Sequence, residues 1–198
     1  MTQTITGLFD HYNDATEAVR RLEALGVPHA DISIVSNKNA HDTASEAGED
    51  AAKGAGLGAV VGSVGGLLTG LGVMAIPGVG PVVAAGWLAA TAAGAIAGAV
   101  VGGAAGGIVG ALTAEGVSEK DAHVYAESVR RGGTLVTARV QADKAVAAQT
   151  ILKNQQSIDP ESRRAEYQQA GWHHFDATAP DYSADDVLNE QRRVAGQR

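Results

Sequence analysis

Residues 54 to 114 carry no charged side chain and consist mostly of Gly, Ala, Val, Leu and Ile. Gly54, Gly58, Gly62, Gly66 and Gly70 fall four apart. After a break at residues 75 to 81, Gly86, Gly94, Gly98, Gly102, Gly106 and Gly110 resume the beat, with Ala90 in the one gap. Four residues is nearly one helical turn, so each series draws a stripe along one helix face. Glycine costs about 1 kcal/mol per helical position relative to alanine. Such a helix needs a second backbone packed against its stripe, as small-residue faces provide in membranes. The glycines of the two series are therefore expected to pack helices.

The break holds Pro77, Gly78, Gly80 and Pro81, a cluster that ends one element and begins another. The spacing predicts a helical hairpin. Its first arm, 54 to 74, would reach about 30 Å, the hydrocarbon thickness of a bilayer. Its second arm, 82 to 113, would reach about 48 Å and must tilt, protrude or break. Trp87, near the turn, is a candidate anchor at the far membrane interface. The alternative is a bundle of such hairpins from several subunits, buried in water by each other.

The flanks read as the two halves of one small domain. Residues 1–36 hold a strand at 4 to 9, a helix begun by Asp14 and Glu17 at capping-box spacing, and a strand at 31 to 36. Ala15, Ala18, Val19, Leu22 and Leu25 share the helix face, and Ile32 and Ile34 one strand face. A polar linker fills 37–53. After the 54–114 insertion, residues 115–159 hold a helix capped by Ser118, a strand at 134 to 140, a helix capped by Asp143, and a short edge segment near 156 to 159. Without the insertion this is an α+β sandwich with a ferredoxin-like layout. Its sheet is expected to be covered by helices on one face, leaving the other solvated or paired with a second copy. The tail, 160–198, holds a helix capped by Asp159 with Pro160 at its first position, then a final helix capped by Ser183. Trp172, Phe175 and Tyr182 between them need a surface, which is either the folded core or a partner.

Opening Thr6-Gly-Leu-Phe9, the Asp31-Ile-Ser-Ile-Val35 strand, the Gly/Ala insertion, Gly116-Val-Ser-Glu119 and above all Arg130-Arg-Gly-Gly-Thr-Leu-Val136 together resemble the bacterial general stress protein 17M-like family. The likeness covers about residues 2 to 155 and leaves out the tail. It implies a role in stress responses such as heat, cold or desiccation, and it implies no catalytic residue.

A net charge of -7 and no basic patch interleaved with aromatics argue against nucleic acid. No Cys is present, which removes disulfides and thiol chemistry. No cleaved signal peptide is expected at Met1, since no basic and apolar leader follows it. Gly70-Leu-Gly-Val-Met-Ala75 fits a loose dinucleotide fingerprint but lacks the strand before it and the acid after it. His173, His174 and Asp176 are metal-ligand types, yet adjacent histidines point apart. Ser118, Asp121 and His123 lie too close on one helix for a catalytic triad. No catalytic, cofactor or metal residue is expected. The sequence thus predicts a non-enzymatic stress-response protein whose hairpin associates with membrane lipid and self-assembles. It would lie at the inner membrane, with its soluble parts in the cytoplasm. The alternatives are a wholly cytoplasmic homo-oligomer with bundled hairpins and a small-ligand-sensing α+β domain.

Overall fold

A computed structural model describes residues 2–42, 71–91 and 107–196. Within them the order is β1 (Thr2–Phe9), α1 (Tyr12–Ala24), β2 (Ile32–Asn37), β3 (Gly72–Ile76), β4 (Gly80–Gly86), α2 (Gly107–Ala114), α3 (Glu119–Arg130), β5 (Thr134–Gln141), α4 (Ala145–Asn154), α5 (Pro160–Gln169) and α6 (Ala184–Ala195). The strands form one sheet in the order β1-β5-β2-β4-β3, and every neighbouring pair is antiparallel. β1 and β2 are therefore parallel, with β5 between them, and α1 makes a split β-α-β crossover.

Alternation along each strand sends side chains to two faces. Ile5, Phe9, Ile32, Ile34, Val136 and Ala138 meet Ala15, Val19 and Leu22 of α1 and Ala148 and Leu152 of α4. On the other face, Leu8, Val35, Leu135, Val82 and Ala84 meet Ile108 and Leu112 of α2 and Ala122, Tyr125 and Val129 of α3. The sheet thus has helices on both sides. The expectation of one uncovered face fails because α2, α3 and the tail's Phe175 all settle on it.

The helical hairpin is overturned at its apex, whereas residues 87–91 and 107–114 of its second arm are helical as expected. Its predicted apex is a β-hairpin, β3–β4, added to the sheet edge. Ile76-Pro77-Gly78-Val79 closes with a 3.0 Å bond from the Val79 amide to the Ile76 carbonyl, and Gly78 has φ +73°. Proline at the second position and a left-handed glycine at the third are the signature of a type II turn. The Val-rich flanks prefer a pleated, buried surface, whereas helical glycines would have to be compensated one by one. Gly86 belongs to β4, not to a helix stripe. Gly110 is indeed helical, in α2. Gly54, Gly58, Gly62, Gly66, Gly70, Gly94, Gly98, Gly102 and Gly106 lie outside the described residues. Trp87 is no interface anchor. It is 8% exposed inside the core, with the Arg139 guanidinium 4.0 Å above its ring.

The topology also fixes where the glycine-rich segments attach. β2 is antiparallel to β4, and β4 to β3, so β2 and β3 run the same way. Segment 43–70 therefore leaves near the carboxyl end of β2 and returns at the amino end of β3, the opposite end of the sheet. Residue 91 follows the end of β4 at that second end. Gly107 lies back at the first, where a Cβ on it would stand 3.3 Å from Ile76.

Two caps differ from expectation. α1 starts at Tyr12, so Asp14 sits inside its first turn, and α4 starts after Lys144, with no side-chain cap from Asp143. The Ser118, Asp159 and Ser183 caps form, the last as a full capping box with Asp186. The expected edge segment is a single bridge, Leu8 to Ile158.

Candidate functional site

Arg130-Arg-Gly-Gly133 joins α3 to β5 and is where the tail docks. Helical spacing puts Glu127 one turn before the arginines. Its buried carboxylate accepts from Arg131 Nε at 2.6 Å and Arg130 Nη1 at 3.2 Å. The guanidinium planes then serve as platforms for tail rings. Arg131 lies 4.2 Å over Tyr167, and Arg130 lies 4.8 Å over Tyr182 and donates to the Pro180 carbonyl at 3.1 Å. Tyr167 donates to Ser128 Oγ at 3.1 Å, and burial pushes its hydroxyl up to about 12. From α5, Arg163 reaches back to the Asp10 carboxylate at 2.8 Å. Burial alone would weaken the proton on Arg131, but the Glu127 carboxylate holds its pKa above the ordinary arginine value.

Glycine makes the fit possible. Gly132 has φ +103°, and a Cβ there would stand 2.6 Å from a Val187 methyl of α6. Gly78, at the β3–β4 turn, lies under the tail backbone, with Ala177 Cα 2.5 Å from where a Cβ would be. Phe175, Val187 and Val194 are all buried. Of the three tail aromatics, Phe175 is in the core, Trp172 packs at its rim, and Tyr182 is held by Arg130. The tail aromatics therefore find their surface on the chain itself. A partly open space of about 20 Å³ among Asp10, Ser128, Arg131, Arg163 and Tyr167 has room for roughly one water. Cohesion is the chemistry of this cluster.

A second constellation was not visible in the sequence. Glu119, Lys120 and His123 of α3, Arg164 and Gln168 of α5, and Trp172, His173 and His174 of the tail line an open cleft of about 500 Å³. The His123 and His174 rings meet edge to face at 6.3 Å. Glu119 lies 3.9 Å from His123 Nε2. Arg164 pairs with Asp121, which is itself held by the Ser118 hydroxyl at 2.6 Å. Ser118 and Asp121 are thus occupied as cap and ion-pair partner. Fifty residues separate His123 from His173, and only the fold of α5 back onto α3 unites them. Among the described residues, no group of three or more His, Asp or Glu side chains stands close enough to hold a metal ion.

No family model, curated protein or solved structure matches this chain.

Proposed function

We propose that this chain is a non-enzymatic bacterial stress-response protein that works by self-association, its α+β body presenting two glycine-rich segments to other copies. The observation that carries this reading is the pairing of β3–β4 into the sheet, with β4 buried and β3 at the edge. It divides the uncharged run into separate segments, each tied to the body at both ends. Small residues recurring every fourth position suit close packing against an identical series in another copy. The stress context rests on the resemblance of the flanks to the 17M-like family. The split β-α-β supports the reading of a ferredoxin-like layout.

Membrane association is the second reading, favoured by the absence of charge from 54 to 114. A hairpin of two spanning helices needs about 40 apolar residues. Neither segment, 43–70 or 92–106, is that long, so the two-helix hairpin does not fit within either. No helix among the described residues is long and apolar enough to cross a membrane.

Detergent-free purification with size and mass analysis, beside an alkaline carbonate wash of membranes, tests both readings. A discrete homo-oligomer that dissociates when Gly62, Gly66, Gly98 and Gly102 become Leu is the expected result. A monomer unaffected by those changes would refute self-association. Retention in the washed membrane pellet would put the segments in lipid instead.

A further inference from the structure

β3 ends the sheet, and among the described residues no strand pairs with its outer side. The opposite edge is partly engaged, since the Ile158 amide donates to the Leu8 carbonyl of β1 at 2.7 Å. Natural sheets guard a bare edge with charges, proline or a bulge. Gly72-Val-Met-Ala-Ile76 has no charge and no proline, and it pairs with β4 residue for residue. Gly72 and Ala75 are exposed, and Val73 is 67% exposed.

The register fixes which backbone groups of β3 point outward. In an antiparallel pair, opposite residues alternate between exchanging both hydrogen bonds and exchanging none. Ala75 stands opposite Pro81, which has no N–H to give, so this pair is of the second kind. Val73–Val83, two residues along, is another. The N–H and C=O groups of Val73 and Ala75 therefore turn away from β4, towards the open side.

We propose that β3 joins two copies of this chain, edge to edge and antiparallel, about a twofold axis at Met74. Val73 then stands opposite Ala75 of the second copy. Every outward donor and acceptor of the strand meets its complement, and the exposed Val73 side chain packs beside an alanine methyl on the same face. Moving the axis to Val73 would set Ala75 against Leu71, outside the strand, and moving it to Ala75 would set Val73 against Pro77, which has no donor. A second copy suits this edge better than a foreign strand. A strand-adding peptide is selected through pockets for its alternate side chains, and neither the tail cluster's cavity nor the histidine cleft borders β3. Two copies of net charge -7 meet here through uncharged strands, without repulsion between facing side chains. The contact rests on the self-association reading only in taking the same partner, since it uses residues outside segments 43–70 and 92–106.

The chain has no cysteine, so a single introduced thiol reports only on itself. On the axis, residue 74 forms a non-hydrogen-bonded pair with its own copy, Cα atoms about 4.5 Å apart and within disulfide reach. Full-length Met74→Cys should oxidise to a covalent dimer at least about tenfold faster than Val146→Cys, an equally accessible control on α4 at 77% exposure. Val73→Lys, at an exposed position, should raise the dimer dissociation constant roughly tenfold in sedimentation, with unchanged circular dichroism. The Met74→Cys dimer should persist when Gly62, Gly66, Gly98 and Gly102 are changed to Leu. If the native chain self-associates but Met74→Cys oxidises no faster than Val146→Cys, the edge contact is overturned and packing of the glycine-rich segments stands. Association unaffected by Val73→Lys, or a cross-link lost in the Leu background, would overturn it as well. A cross-link that persists while the Leu changes leave the oligomer intact would support the edge and refute the glycine packing.

Discussion

Gly86 and Gly132 show how single backbone atoms hold this molecule together. Gly86 ends β4 with φ +88°, and a Cβ there would stand 2.1 Å from the Ile32 carbonyl oxygen, in the middle of the sheet. Gly116 has a similar φ of +85° but open space around it. The pair separates strain from collision. Gly116→Ala is expected to cost about 1–2 kcal/mol, the ordinary penalty of a left-handed residue. Gly86→Ala should cost well over 3 kcal/mol or prevent folding, because backbone cannot give way as a side chain can. Urea unfolding of the two variants side by side checks the difference. Tyr167 provides a second test at this scale. Its folded pKa, raised to about 12 by burial, lies above the ordinary value of 10.0. A raised pKa gives stability that is complete below the unfolded value and lost as pH climbs towards the folded one. Unfolding should therefore ease between pH 10 and about 12, by roughly 1.4 kcal/mol for each unit. Tyr167→Phe should start less stable, having lost the bond to Ser128, but show a flatter alkaline limb in denaturant titrations.

Among the elements, α1, α3 and α4 were legible in the sequence because their buried residues recur at helical spacing. Ala15, Ala18, Val19 and Leu22 all fall inside, as do Ala145, Ala148 and Leu152. β3 and β4 were misread for a stated reason. A four-residue glycine rhythm suggests a helix stripe, and it ran across an Ile-Pro-Gly-Val turn whose own chemistry already favoured strands. The rhythm is a long-range regularity, whereas the turn is decided by two residues with fixed φ preferences. The tail helices were legible through their caps, but their destination was not. Their anchors, Tyr167, Phe175, Val187 and Val194, bury against α3, β4 and the Gly132 corner. Deleting residues 171–198 removes three of these anchors. At about 1.5–3 kcal/mol each, the loss should be near 5 kcal/mol. Calorimetry should show the melting temperature lowered by roughly 10 °C or more.

For the whole molecule, the decisive feature is that the residues flanking each glycine-rich segment belong to one sheet and the helices packed on it. If the segments pack against those of other copies, dilution should separate the copies while leaving each body folded. Analytical ultracentrifugation over a hundredfold concentration range should then show a smaller species whose far-ultraviolet circular dichroism is nearly unchanged. Collapse of the secondary structure on dilution would mean that the body depends on its neighbours. The arginine network argues for an independent body, since Glu127, Arg130, Arg131, Tyr167 and Asp10 find their partners within one chain.

The sequence by itself determined the helices with clean periodicity, the caps at Ser118, Asp159 and Ser183, the alternation in β1, β2 and β5, and the absence of charge from 54 to 114. These are local properties, set by spacing and by the nearest few residues. Only the tertiary structure decided that the middle of the uncharged run joins the sheet, that both sheet faces are covered, and that three histidines meet in one cleft. Each of those depends on groups far apart in the chain. Burial of an apolar strand is favourable wherever a free sheet edge exists, and no local pattern records where that edge will be. His123 and the His173–His174 pair have β5, α4 and α5 between them, and nothing in the sequence around either marks them as neighbours.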